Sequence, residues 1–461
     1  MKSRQIAQRN PAKLPNILRD YFVIQRNELS LQKIQNPMEY KERIADRLLR
    51  DKLEAMGAVL IEGSKACGKT TTAEQQAGSI LYINDPNKVE QYKQMAQTDI
   101  RFLLAGQTPR LIDEWQEIPQ FWDAIRFEVD HRDEDGQFIL TGSAVPVDDK
   151  DIHHTGTGRY GRITMRPMSL WESGESTGEI RLSDLFSSPE KIGASNSLNL
   201  SFLAFLICRG GWPRTLQKKS EQAALLQASE YYKAIINSDI SRVDNVKRDS
   251  ERTKRIMRSY ARHQGTQASI ATIRADISTN EPENISDGTI GAYLSALREI
   301  FVIEDMPAWN PNLRSKTAIR TSDTRYYVDP SIGVAALGIG PNDLINDLNT
   351  FGLLFETMCV RDLRVYADAL DGSVYHYRDK NGLECDAVVH LRNGMYGLVE
   401  VKLGGEKLIE EGAKTLITLS NLIDTDKIRP PAFCMVLIGV GDFAYRRVDG
   451  VYVVPIACLK N

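Results

Sequence analysis

Gly63-Ser64-Lys65-Ala66-Cys67-Gly68-Lys69-Thr70 is the segment from which the rest of the chain can be read. It fits G-x-x-x-x-G-K-[ST], a loop built to cradle phosphate. Gly63 and Gly68 let the backbone wrap an anion so that successive N–H groups point inward. Lys69 reaches the β- and γ-phosphates, and the Thr70 hydroxyl can ligate Mg²⁺. The surroundings agree with the motif. Ala58-Val59-Leu60-Ile61 before it reads as a short buried parallel strand. Residues 70–77 after it can be helical, which sets a helix N-terminus against the anion. The expected nucleotide-binding set is Gly63, Ser64, Lys65, Ala66, Cys67, Gly68, Lys69, Thr70 and Thr71, with ATP and Mg²⁺ as cofactors.

Outward from the loop, strand and helix alternate over 58–142. An amphipathic helix over 40–56 leads in. Residues 79–83 form a second expected strand, Leu111-Ile112-Asp113-Glu114 closes a third, and 138–143 form a fourth, with a helix over 121–131. Short apolar strands separated by helices imply an α/β, doubly wound parallel sheet that binds ligands at its carboxyl edge. Asp113 and Glu114 leave the third strand at that edge. The first carboxylate is placed to hold Mg²⁺ beside Thr70, and the second to polarise the attacking water. Ser143, ending the fourth strand, either senses the γ-phosphate or caps the next turn. Residues 154–162 read as a glycine-punctuated loop carrying Arg159 and Arg162. Either arginine can stabilise transition-state charge, in cis or from a neighbouring copy, and the alternative is a solvated loop.

The composition is that of a soluble multidomain protein: 461 residues, 42% hydrophobic and 26% charged, with 58 basic against 61 acidic side chains. A net charge of −3 confines any nucleic-acid contact to local patches. Six scattered cysteines without a C-x-x-C pair argue for a reducing compartment and against zinc or disulfides. Residues 1–16 carry no apolar core segment, and the longest apolar run is far shorter than a membrane span, so a cytoplasmic location and no membrane partner are expected.

Five motifs together are similar to those of bacterial and archaeal AAA-type ATPases. They are residues 58–71, Leu111-Ile112-Asp113-Glu114-Trp115, Leu140-Thr141-Gly142-Ser143, Arg166-Pro167-Met168-Ser169-Leu170 and Arg209-Gly210-Gly211-Trp212-Pro213. The resemblance covers all but the N-terminal arm. It implies an AAA+ core, a winged-helix module and a C-terminal domain similar to restriction endonucleases. The expected division is 1–39 arm, 40–175 ATPase, 176–250 helical linker or lid, 251–340 winged helix and 341–461 nuclease-like.

The later residues carry their own signals. Helices are expected over 255–262, 268–277 and 288–299, then strands over 301–304 and 325–328 around a basic loop with Arg314, Lys316 and Arg320. That rhythm suits DNA contact through phosphate, or packing alone. Near the end, Asn381-Gly382 marks a hairpin. Asp386, Glu400 and Lys402 match a D…(D/E)-x-K arrangement in which carboxylates hold Mg²⁺ and the lysine positions water, with Glu356 able to complete the set. Three readings follow: an AAA-type ATPase driving the C-terminal half; an ATP-regulated, metal-dependent DNA nuclease; and a non-cleaving, nucleotide-gated binding protein. Partners in these readings are ATP, DNA, a second copy of the chain or another protein. Paired acids suit water activation better than phosphoryl transfer to a metabolite.

Overall fold

In the computed structural model of the protein, the apolar run ahead of the phosphate loop is strand β1 (Ala58–Glu62), with Ala58 to Ile61 buried. Residues 40–143, 156–242, 246–280, 285–310 and 322–461 are described. The expected arm over 1–39, the two histidines at 153 and 154 and the basic loop with Arg314, Lys316 and Arg320 lie outside them.

Strands β2 (Ser79–Tyr82), β3 (Arg110–Asp113), β4 (Phe138–Gly142) and β5 (Tyr160–Thr164) join β1 in one sheet of order β2-β3-β4-β1-β5. All four pairings are parallel. The faces divide by the two-residue period of a strand. Ala58, Leu60, Phe138 and Leu140 pack with Phe121, Trp122 and Ile125 of the helix Phe121–Arg132. Val59, Ile61, Leu111 and Ile139 pack instead with Trp212, Ile235, Ile256 and Leu297 from later helices. Each such large side chain contributes roughly 1.5–3 kcal/mol by leaving water.

Arg110 starts β3, its buried guanidinium donating to the Leu103 carbonyl at 2.8 Å and to Ser79 Oγ at 3.0 Å. One strand reading needs correction. Residues 160–164 are an edge strand and not the end of a loop. Gly161 and Ile163 turn inward while Arg162 is exposed, an alternation that the surrounding glycines and arginines hid.

Beyond the sheet come the helices Leu200–Arg209, Pro213–Leu216 and Glu221–Ala234, the last running through a π-helical turn, Ile235–Asp239, into Ile240–Arg242. The helices Ser250–Arg262, Ile270–Asn280 and Asp287–Glu299 follow in the expected order. Asp249 and Ser286 cap the first and third through the backbone N–H groups of Arg252 and Thr289. The expected strands over 301–304 and 325–328 are reduced to two isolated antiparallel bridges, Ile303 to Tyr327 and Met306 to Thr324. Phe301 has a left-handed backbone (φ 57°), which breaks the extended run before it can pair.

The C-terminal half is a second α/β assembly. Strands β6 (Ile180–Arg181) and β7 (Ala194–Ser195) precede β8 (Gly372–Arg378), β9 (Glu384–Leu391), β10 (Tyr396–Lys402), β11 (Phe433–Ile438), β12 (Phe443–Arg446), β13 (Tyr452–Pro455) and β14 (Leu459–Lys460). Seven of them form a sheet of order β7-β12-β13-β11-β10-β9-β8, and β14 pairs with β6. The helix Leu348–Asp368 packs on one face and Glu406–Leu422 on the other. Strands β6 and β7, which fall inside the expected 176–250 linker or lid, pair with β14 and β12 of the C-terminal assembly.

Candidate nucleotide site

Parallel pairing of β4 between β1 and β3 explains how the candidate residues meet. Ile61 lies beside Thr141 and Asp113 beside Thr141, so the ends of three strands come level just where β1 runs into the phosphate loop. Gly63 (φ 147°) and Gly68 (φ 109°) supply the turns of that loop, and a Cβ at Gly63 would fall on the Met165 carbonyl. The helix Lys69–Glu74 begins directly after Gly68. Lys69 is buried, its ammonium donating to the carbonyls of Gly63 at 2.8 Å and Ser64 at 2.9 Å.

Thr70 Oγ1 donates to Asp113 Oδ1 at 2.6 Å, and Thr141 Oγ1 donates to the same oxygen at 2.6 Å. One carboxylate and two hydroxyls thus converge at the sheet edge, an oxygen set of the kind Mg²⁺ takes with phosphate and water. Thr141 was only part of a strand-end motif in the sequence; the register makes it a neighbour of Asp113. Glu114, one residue on, has a left-handed backbone (φ 57°). Its Oε2 accepts from Gln116 Nε2 and, at 3.5 Å, from Ser143 Oγ. Ser143 therefore touches the candidate base, and Gln116, which sequence reasoning missed, holds it from the other side.

The two arginines part company. Arg159 sits at the start of β5, where its carbonyl accepts from the N–H of Ala58, the first residue of β1. That is the amino edge of the sheet, roughly 13 Å of strand away from the phosphate loop. Its side chain pairs with Asp130 at 2.8 Å. Arg162 lies mid-strand, pairs with Glu62 at 3.2 Å and covers the Trp122 ring at 5.6 Å. Arg159 is thus placed at the far edge of the sheet from the phosphate loop, whereas Arg162 is held on Glu62, the residue before Gly63.

The second constellation gathers at one end of β9 and β10. Lys402 Nζ lies 2.7 Å from Glu400 Oε2 and 3.4 Å from Asp386 Oδ2, and the Val401 N–H donates to that same Asp386 oxygen at 2.8 Å. Burial and then the Asp386 charge push Glu400 up to about 8. Burial works against the Lys402 ammonium, but the two carboxylates outweigh it and raise its pKa. Glu356 accepts from the Tyr326 hydroxyl and lies against Gly265, close enough to feel the charges of Asp386, Lys402 and Glu400. Burial and then Asp386 drive it toward its neutral form. Among the described residues no group of three or more His, Cys, Asp or Glu side chains is arranged to hold a metal ion. Lys402 bridges Asp386 and Glu400, and Glu356 lies within reach of the charges of all three.

Comparison with known proteins bears on the same segments. The family described as AAA domain matches residues 56–173. Two families, each described as a domain of unknown function, DUF8612 and DUF4143, match 201–343 and 351–459. No curated protein matches the chain. Among solved structures, the Walker-type ATPase PABY2304 of Pyrococcus abyssi is similar at 13% identity, over 64% of this chain and 96% of its own, with a TM-score of 0.39. A DNA replication initiation factor is similar at 15% identity, over 57% of this chain and 97% of its own, with a TM-score of 0.28. Among the described residues no helix is long and apolar enough to cross a membrane. The match over 56–173, on a parallel sheet flanked by helices with a phosphate loop at its carboxyl edge, supports an AAA-type P-loop ATPase domain.

Proposed function

We propose that the protein is an AAA-type ATPase that hydrolyses ATP with Mg²⁺ and passes the resulting rearrangement to its C-terminal half. The observation that carries this is the convergence of Thr70, Asp113 and Thr141 on one oxygen beneath the phosphate loop. A bound Mg²⁺ supplies neutralisation of the β- and γ-phosphate charge. The chain's own residues do the rest. Thr70 and Asp113 hold the metal, and the loop N–H groups and Lys69 orient the phosphates. Glu114 takes the proton of the attacking water once it leaves Gln116, and Ser143 lies where it senses that move. Arg159, at the amino edge of the sheet, acts only if a second copy brings it to the site, whereas Arg162, held on Glu62 beside Gly63, can act from either copy. Purified protein should bind ATP, and Lys69→Ala should abolish binding. Glu114→Gln should retain binding and lose on the order of 10²–10⁴ in turnover. Unchanged turnover in Glu114→Gln rules out its role, and absence of binding by the unmodified protein rules out the whole reading.

A second reading, metal-dependent cleavage of DNA, rests on Lys402 lying between Asp386 and Glu400. Cutting of plasmid DNA with Mg²⁺ or Mn²⁺ that disappears in Asp386→Ala and Lys402→Ala supports it. No cutting with either ion leaves the C-terminal half as a binding or packing module.

A further inference from the structure

The helical region reaches back to the phosphate loop at two adjacent positions. Lys65 Nζ pairs with Asp239 Oδ1 at 3.1 Å, and the hydroxyl of the half-buried Tyr231 lies beside Ser64. Tyr231 packs on Trp212 with ring centroids 4.0 Å apart. Asp239 closes the π-helical turn Ile235–Asp239, whose Ile235 and Ile236 are anchored in the core that the phosphate-loop helix shares. A π-helical turn inserts a residue into a helix and turns the following side chains away from where an α-helix would send them. Here it ends with a carboxylate on the loop lysine. The Asp239 side chain is 11% exposed, whereas Lys65 is 55% exposed and belongs to the loop itself. The two ends of the pair therefore differ in freedom: the acid is fixed and the lysine is not.

We propose that Asp239 is a positioning residue that withholds Lys65 from the nucleotide, so that binding of the triphosphate releases this contact and signals loop occupancy to the helical region. This rests on the phosphate loop being the triphosphate site. Lys65 has two anionic claimants, the fixed carboxylate and the phosphates, and a single ammonium cannot keep its closest contact with both. A ligand that gains from one state at the expense of the other shifts that equilibrium by its differential affinity.

The test is a titration of the full chain with fluorescent ADP and ATPγS, in the presence of Mg²⁺, for the unmodified protein, Asp239→Asn, Lys65→Met and the double variant. Asp239→Asn should bind about threefold more tightly, the size expected for losing one partly exposed pair. In the Lys65→Met background the same change should have no effect, because the contact it removes is already gone. Amide exchange over 235–242 should rise on nucleotide binding in the unmodified protein and stay level in Asp239→Asn. Three results overturn the proposal: Asp239→Asn binding no tighter, equal tightening in both backgrounds, which is plain charge repulsion, or exchange that ignores the nucleotide. Absence of nucleotide binding by the unmodified protein is a separate failure, that of the ATPase reading.

Discussion

Arg166→Met should destabilise the protein by about 3 kcal/mol, and the reasoning begins with what Arg166 joins. It lies two residues after β5, yet its guanidinium contacts two carboxylates from distant parts of the chain. Nη2 lies 2.6 Å from Glu304 Oε1 and Nη1 lies 2.5 Å from Asp368 Oδ2. Glu304 comes from the turn after the third helix of the 250–300 module, and Asp368 ends the long C-terminal helix. Burial opposes ionisation of Glu304, but Arg166 and then Arg364 outweigh it and hold the carboxyl down at about 2. For Asp368 burial wins over Arg166 and its pKa is raised. Removing one partner from a buried ion pair costs roughly 3–5 kcal/mol, mostly the charge left behind. The lower end applies because the two carboxylate side chains retain 28% and 34% exposure and Arg364 still reaches Glu304 at 3.5 Å. The pH dependence has a definite sign. Glu304's contribution in the unmodified protein is present above its unfolded value of 4.5 and is lost as pH falls toward about 2. In the variant the stranded carboxyls can take up protons, which relieves the penalty in acid. The gap between the two proteins should therefore be widest near neutrality and narrow below pH 4.5. Urea unfolding followed by tryptophan fluorescence, at neutral and acidic pH, measures both; urea leaves the ion pairs unscreened. Adding Glu304→Gln and Asp368→Asn to Arg166→Met should recover part of the loss. A loss under about 1 kcal/mol, or a gap that does not change with pH, refutes the argument.

Thr141→Val keeps shape but removes one of the two hydroxyls on Asp113, so half-maximal activation of ATP hydrolysis should need about tenfold more Mg²⁺; an unchanged Mg²⁺ requirement shows the hydroxyl to be a strand-end bond only. Glu400 carries a folded pKa raised from 4.5 to about 8, so its share of stability is complete below 4.5 and is lost as pH rises through about 8. Glu400→Gln should flatten the decline in thermal midpoint across that window, and an equal decline in both proteins contradicts it. Gly211→Ala places a Cβ against the Met168 carbonyl, whose residue donates its N–H to the Gly211 carbonyl at 2.7 Å. The thermal midpoint should fall by several degrees, and an unchanged midpoint shows that the two segments can separate freely.

The sequence alone determined the local chemistry of this protein. The phosphate loop, the acidic pair after β3 and the E-x-K pair on β10 are each written within a few adjacent residues, and their backbone demands can be read without any partner. Period-two alternation likewise placed Glu400 and Lys402 on one face. What only the tertiary structure decided is which of these groups meet across the chain. Thr141 reaches Asp113 because β4 inserts between β1 and β3, a pairing set by how two faces of a sheet bury their side chains and not by any local signal. Arg159 falls at the amino edge for the same reason: parallel pairing of β5 with β1 sends the residue before β5 away from the residue after β1. In the sequence the motifs around Arg166 and Gly211 stand only as parts of a family resemblance. In the fold they are the joint that binds three regions, since Gly211 donates to Asp329, Leu170 donates to Asp362, and Arg361 pairs with both acids. Contacts between residues so far apart in the chain depend on the order in which elements stack, and no run of neighbouring residues records that order.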